Sequence, residues 1–133
     1  PCDVRNIGIK NPEYHRYKNL ENYDLKAKNI EELFNFFDNL VSDNLEYIVG
    51  FGETGFDLYH QNSPELLKLQ TIVFKKHLDL SRKFKKPFIL HSRGAKKETL
   101  DFLGEHLNSP ENKNIKGVWH CFSEDLDTAK IAT

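Results

Sequence analysis

The spacing of hydrophobic residues predicts helices and strands that alternate along the chain. From Asn29 onward, apolar residues recur at helical spacing behind an asparagine that can cap the helix. A longer amphipathic helix is predicted over residues 64–84, with Pro64 at its first position, where a missing backbone N–H costs nothing. A shorter helix is predicted around residues 100–107, and Ser123 is the expected N-cap of another.

Between these helices lie three short apolar runs that predict strands. They are "EYIVGFG" (residues 46–52), "PFILH" (residues 87–91) and "IKGVWHC" (residues 115–121). Their lack of polar alternation is typical of strands buried on both faces. Strands of this kind joined by helices favour an α/β fold with a parallel sheet.

A polar residue stands at the predicted carboxyl end of each strand: Glu53, His91 and His120. Separations of 38 and 29 residues are close to the roughly 31 residues per βα unit of a (β/α)8 barrel. A doubly wound sheet would instead place its ligands chiefly at one switch point. We therefore predict a partial TIM-type barrel, about three consecutive parallel βα units of a longer domain.

Two imidazoles and a carboxylate are a donor set that suits Zn²⁺, Mn²⁺ or Fe²⁺, with Mg²⁺ held mainly through the carboxylate. Each residue alone has an ordinary alternative, because Glu53 could be a loop carboxylate and a histidine at a strand end a partly buried polar group. Arg93 lies two residues beyond His91, so an extended backbone points both to one face. Its guanidinium suits a phosphate or a carboxylate, and a surface ion pair is the alternative.

Composition narrows the classes of protein that the chain can belong to. With 19 basic and 20 acidic residues, the formal net charge is −1, and no global positive field indicates a nucleic-acid binder. Cys2 and Cys121 are too few for a disulfide framework and favour a reducing, intracellular setting, with the cytoplasm expected and the nucleus open. Cys121 follows His120 directly, so strand alternation predicts a packed core thiol. No apolar stretch approaches the ~20 residues that a membrane span requires.

Three motifs, in this order and spacing, resemble the TatD family of metal-dependent deoxyribonucleases. They are "GETGFD" (residues 52–57), "PFILHSRGA" (residues 87–95) and "GVWHCFS" (residues 117–123), with Gln70 upstream of the second. The resemblance covers essentially the whole chain. It implies a TIM-like barrel of the amidohydrolase type and hydrolysis of DNA phosphodiesters, often as a 3′ to 5′ exonuclease.

The resemblance also implies roles for individual residues. Glu53 is expected to ligate and bridge two divalent metal ions, Mg²⁺, Mn²⁺ or Zn²⁺, which activate a shared water. His91 and His120 are expected to ligate the second metal, and Arg93 to bind the substrate phosphate. DNA is the expected partner as substrate; neither a membrane nor an obligate protein partner is expected.

Parts of the family pattern have no counterpart in this chain. The family's amino-terminal His-x-His pair and its carboxyl-terminal aspartate are absent, and Thr54 replaces a usual apolar residue. We therefore expect residues 1–133 to be the central segment of a single, longer hydrolase domain, and this segment to be inactive alone. Two other functions stay open: an amidohydrolase-like enzyme with a non-nucleic substrate, and a non-catalytic metal-binding scaffold.

Overall fold

The structure is a computed structural model, and it describes residues 30–59 and 63–132. The predicted Asn29 cap lies outside these ranges, as do residues 1–28, whose irregular, polar sequence predicts a loop. In chain order the elements are α1 (Ile30–Asn44), β1 (Phe51–Asp57), α2 (Pro64–Phe84), β2 (Phe88–Arg93), α3 (Lys96–Leu107), β3 (Gly117–Trp119) and α4 (Leu126–Ala132). The described residues fall into two compact units, 30–49 and 50–132. The single-domain assignment of residues 1–133 stays a prediction.

Helix α1 belongs to the first unit and confirms the predicted helix, which extends to Asn44. Glu31 and Glu32 lie in its first turn, where the positive end of the helix dipole favours carboxylates. Phe34, Val41 and Asn44 are its buried residues. The Asn44 amide donates a 2.9 Å hydrogen bond to the carbonyl of Leu40, so its buried polar group is satisfied within the helix.

The second unit is built on a parallel sheet with the strand order β1-β2-β3. Helix α2 connects the first two strands and α3 connects the next two. This alternation is the βα arrangement that the sequence predicts. No helix within the described ranges is long and apolar enough to cross a membrane.

Helix α2 begins and ends at the predicted residues. The Ser63 side chain accepts a 3.2 Å hydrogen bond from the Leu66 N–H, and Pro64 occupies the first turn. Lys85 closes the helix in the left-handed conformation with φ 53°, and its N–H donates to the Ser81 carbonyl. These caps satisfy backbone groups that a helix end leaves without partners.

The core of the second unit is a cluster of aromatic and aliphatic side chains between the sheet and helices α2 and α3. Phe74 of α2 is fully buried and stacks on Phe102 of α3, with ring centroids 4.2 Å apart. Phe56 of β1 meets both rings edge-on at 5.8 and 5.6 Å, and Phe88 of β2 lies 5.8 Å from Phe74. Strands β1 and β2 and both crossover helices are therefore anchored to one another through these rings.

The predicted bounds of the first and third strands were wrong. The first strand is Phe51–Asp57 rather than residues 46–52, and Val49 is 82% exposed. The predicted strand ends at Gly52, whereas Gly52 lies inside the observed strand, where its backbone approaches Ile89 of β2 closely. The third strand covers Gly117–Trp119 instead of residues 115–121, since pairing with β2 ends at Trp119.

Two helix starts also differ from the prediction. Helix α3 begins at Lys96, one turn before the first of the apolar residues used to predict it. Helix α4 begins at Leu126, and Asp125 caps it in place of Ser123. The Asp125 Oδ1 accepts hydrogen bonds from both the N–H and the hydroxyl of Thr128, at 2.8 and 2.9 Å. A carboxylate in that position satisfies the helix start directly.

Candidate active site on one face of the sheet

An irregularity in β1 decides which side chains face the site. Gly52 pairs with Ile89 and Thr54 with Leu90, so Glu53 is an extra residue without a partner in β2. Phe51 and Phe56 both contact rings of α2, although residues five apart in a regular strand point to opposite faces. The extra residue accounts for this change of phase. It places Glu53 on the face opposite the core.

From the bulge onward, β1 alternates regularly. Thr54 and Phe56 are buried on the core side, and Gly55 and Asp57 follow Glu53 on the other side. Strand β2 alternates in the same way, so that His91 and Arg93 lie opposite Gly55 and Asp57 in the register. Two carboxylates, an imidazole and a guanidinium therefore share one face of two neighbouring strands.

Both imidazoles of the predicted site approach a single carboxylate oxygen. His120, which directly follows β3, donates a hydrogen bond through Nδ1 to Glu53 Oε1. The Nδ1 atom of His91 lies 3.6 Å from the same oxygen. The backbone fixes His120 as well, because its N–H donates a 2.9 Å hydrogen bond to the Leu90 carbonyl. The structure thus brings Glu53, His91 and His120 together.

Asp57 links the remaining polar residues of this face. Its Oδ2 lies 3.4 Å from His91 Nε2 and 2.9 Å from a terminal nitrogen of Arg93, and Arg93 Nε donates to Oδ1 at 3.3 Å. The Tyr59 N–H donates to the same Oδ1 at 3.1 Å. The Arg93 guanidinium also lies over the Tyr59 ring, 4.8 Å from its centroid, a typical cation–π distance.

Helix α2 holds the backbone of Asp57 through Gln70. The Asp57 N–H donates to Gln70 Oε1 at 3.4 Å, and Gln70 Nε2 donates to the Asp57 carbonyl at 3.1 Å. One side-chain amide therefore satisfies both backbone groups at the end of β1. This arrangement fixes the position from which the Asp57 carboxylate extends.

Both carboxylates have a pKa below the ordinary value for their type. Burial raises the pKa of Glu53, but the hydrogen bond from His120 and the charge of His91 outweigh it and lower that pKa. Burial also raises the pKa of Asp57, and the Tyr59 N–H together with Arg93 and His91 lowers it further than burial raises it. Negative charge is thus maintained between the two imidazoles and the guanidinium.

Two of these residues lie at other positions in their strands than predicted, and the prediction of a buried Cys121 was wrong. Glu53 and His91 lie inside β1 and β2 rather than at the carboxyl ends, which are Asp57 and Arg93. Cys121 is exposed rather than packed in the core, because the strand has ended and the residue has a φ of 49°. Its Sγ lies 3.6 Å from His120 Nε2.

Sequence reasoning assigned no role to Asp57. The signal was present, since Asp57 follows Glu53 by four residues in an extended segment and therefore shares its face. The incorrect strand bounds concealed it: a strand that ends before Glu53 gives no reason to extend the alternation to residue 57.

A divalent metal is the group that the predicted ligands would hold. A carboxylate oxygen approached by two imidazole nitrogens is the donor chemistry of Zn²⁺ or Mn²⁺ sites, so the residues fit such an ion. Here His120 contacts Glu53 directly, and across residues 30–59 and 63–132 no three His, Cys, Asp or Glu side chains are arranged to hold a metal. The ligand roles of Glu53, His91 and His120 stay predictions.

Comparison with known proteins identifies the family and agrees with this fold. The family model of the TatD related DNases matches residues 8–133. An uncharacterized metal-dependent hydrolase of Buchnera aphidicola subsp. Baizongia pistaciae is 39% identical over 88 residues, which are 66% of this chain and 31% of that protein. A second one, BU355 of Buchnera aphidicola subsp. Acyrthosiphon pisum, is 34% identical over 113 residues, 80% of this chain and 40% of that protein.

A solved structure shows the same architecture. The crystal structure of YjjV, a TatD homologue of Escherichia coli K12, superposes with a TM-score of 0.56 at 25% identity, covering 77% of this chain and 35% of that one. The chain thus spans less than half the length of the relatives it matches. The partial TIM-type α/β fold is confirmed, and the chain belongs to the TatD related DNase family.

Proposed function

We propose that the protein is a metal-dependent hydrolase that cleaves phosphodiester bonds in DNA. The observation that carries the proposal is the approach of His91 and His120 to one oxygen of Glu53, with Arg93 on the same face. Membership of the TatD related DNase family and the relatives' description as metal-dependent hydrolases support it.

Glu53, His91 and His120 would hold a divalent ion, and two ions of Mg²⁺, Mn²⁺ or Zn²⁺ per complete domain are proposed. Such ions supply positive charge that stabilises the attacked phosphate and lowers the pKa of water. This proposal accounts for DNA cleavage by a chain whose net charge is only −1, because the phosphate would be met by metal charge rather than by a basic surface.

Arg93 is the side chain that we propose to bind the substrate phosphate. Its side chain remains 46% exposed while Asp57 accepts hydrogen bonds from two of its three nitrogens. A guanidinium offers five N–H donors on three nitrogens, so the terminal nitrogen that Asp57 does not engage can still bond phosphate oxygens. Arg93 would orient the scissile phosphate on this face, and cleavage as a 3′ to 5′ exonuclease is the proposed mode.

The experiment measures cleavage of single- and double-stranded DNA by the full-length protein with Mg²⁺, with Mn²⁺, or with EDTA. We expect cleavage that requires metal and that falls to the metal-free background in Glu53→Ala. Asp79→Asn is the control, because Asp79 is an exposed carboxylate paired with Arg82 on α2 and should not affect the rate.

Metal-independent cleavage, or an unaffected Glu53→Ala variant, would contradict this mechanism. Metal-dependent hydrolysis of lactones, amides or small phosphoesters without DNA cleavage would instead favour the amidohydrolase-like alternative. Metal binding without any hydrolysis would favour the scaffold.

A further inference from the structure

We propose that Asp57 is a positioning residue that sets the orientation of both the His91 imidazole and the Arg93 guanidinium. It is the last residue of β1 and pairs with Arg93 in the strand register, two residues after Gly55, which pairs with His91. One carboxylate would thereby couple a proposed metal ligand to the proposed phosphate-binding residue.

The two carboxylate oxygens of Asp57 have different partners. Oδ2 faces His91 Nε2 at 3.4 Å and the Arg93 terminal nitrogen at 2.9 Å, and Oδ1 accepts from Arg93 Nε at 3.3 Å. A carboxylate can only accept, so the 3.4 Å hydrogen bond to Asp57 requires a protonated Nε2 on His91. The opposite ring nitrogen, Nδ1, then faces Glu53. Asp57 therefore selects which imidazole nitrogen is directed at the proposed metal position.

Asp57 is itself held rigidly. Only 8% of its side chain is exposed, and the Tyr59 N–H fixes Oδ1 from the following loop. Gln70 bonds both backbone groups of Asp57 from helix α2. A carboxylate anchored through its backbone and through Oδ1 can restrict the imidazole and the guanidinium that contact it, as carboxylates do behind metal-bound histidines.

An asparagine at this position would break the arrangement without changing its size. The amide has one oxygen in place of two, and its NH₂ group would face donors from Arg93 and His91 or from Tyr59. Asp57→Asn must therefore lose part of the contacts, whichever way the amide turns. Asp79→Asn is the matched control, because Asp79 also pairs with an arginine, at 2.8 Å, but on the outer surface of α2.

The experiment has two readouts besides activity, both made on the full-length protein. The first is ¹⁵N NMR of the His91 ring in the metal-free protein at alkaline pH, which reports the protonated nitrogen. We expect one tautomer with Nε2 protonated in the wild type and a mixture in Asp57→Asn. The second is the Kd for Mn²⁺ by calorimetry, which we expect to rise about 10–100-fold in Asp57→Asn and to be unchanged in Asp79→Asn.

A second variant keeps the inference testable if Asp57→Asn does not fold. Gln70→Ala leaves the carboxylate in place and removes only the bonds to its backbone. We expect a smaller rise in the Kd for Mn²⁺ and some loss of the single tautomer. Wild-type His91 protonated on Nδ1, or variants that match the wild type in both readouts, would overturn the role of Asp57.

The inference rests on the proposed function for what His91 and Arg93 do, yet the two can fail separately. A wild-type protein without Mn²⁺ binding or hydrolysis would refute the proposed function, and the tautomer measurement would still decide whether Asp57 orients His91. Conversely, metal-dependent cleavage that persists unchanged in Asp57→Asn, with the His91 tautomer unchanged, would refute the positioning role alone.

Discussion

Gly55 offers a sharp test of the close approach between β1 and β2. A Cβ atom added to Gly55 would lie 2.0 Å from the His91 carbonyl oxygen and 2.9 Å from Leu90 Cδ1. The first of these atoms belongs to the backbone of the partner strand and cannot rotate away. Gly55 also has φ 141°, a conformation that L-residues rarely adopt. Gly55→Ala must therefore separate the strands or distort β1.

The expected magnitude follows from these two effects. Backbone strain at a glycine-only conformation costs about 1–3 kcal/mol, and overpacking a filled interior typically costs another 1–3 kcal/mol. We expect Gly55→Ala to lower the free energy of unfolding by about 2–6 kcal/mol. Because the displaced carbonyl belongs to His91, the geometry around Glu53 should be disturbed even where the protein still folds.

The assay is urea unfolding followed by circular dichroism, with Gly104→Ala as control. Gly104 lies within α3, and a Cβ there would meet nothing within 4 Å. Alanine has a higher helix propensity than glycine, so the free energy of unfolding of this variant should rise by about 0.5–1 kcal/mol. Glycine-to-alanine substitution is thus expected to lower the free energy of unfolding at residue 55 and to raise it at residue 104. A Gly55→Ala protein with wild-type stability would refute the reasoning.

Two further predictions concern groups outside the site. Thr54 is buried, and its hydroxyl has no hydrogen-bond partner among the described residues. Thr54→Val should therefore raise the free energy of unfolding by about 1 kcal/mol. A lower free energy of unfolding, measured with urea, would contradict this. The Lys96 ammonium and then Thr128 hold the pKa of Asp125 far below its ordinary 3.8. The charge of Asp125 therefore stabilises the fold above pH 3.8, and this contribution is lost progressively as the pH falls below 3.8. Asp125→Asn should therefore melt lower at pH 7 and show a flatter decline of Tm from pH 5 to pH 2; parallel Tm curves for the two proteins would rule this out.

The order of helices and strands could be predicted from the sequence because each element carries its own periodic signal. Helix α2 has an N-cap serine, an initial proline and a broad apolar face, so both of its ends were predicted correctly. Strand β1 lacks such a signal. Its seven residues include two glycines and two acids, and the apolar run "YIV" before it attracts a strand assignment. Only pairing with β2, a tertiary contact, fixes its bounds.

For the candidate site, the sequence could identify residue types but not the contacts among them. Glu53, His91 and His120 were chosen for chemistry at successive strands, and the structure places them together. The face that Glu53 and Asp57 share is set by the bulge at Glu53, and a one-residue change of phase leaves no mark in local composition. Residues that act on a neighbouring side chain are recognised only once that neighbour's position is known.

The alternation of β1 has a consequence for how this segment tolerates change. From Phe51 to Asp57, three residues fill the core, two acids form the site, and two glycines lie against the partner backbone. Every position is thus constrained by a different demand: volume, charge or the absence of a side chain. Such a segment leaves few positions through which variation could accumulate, so natural diversity is expected mainly in the loops and outer helix faces around it.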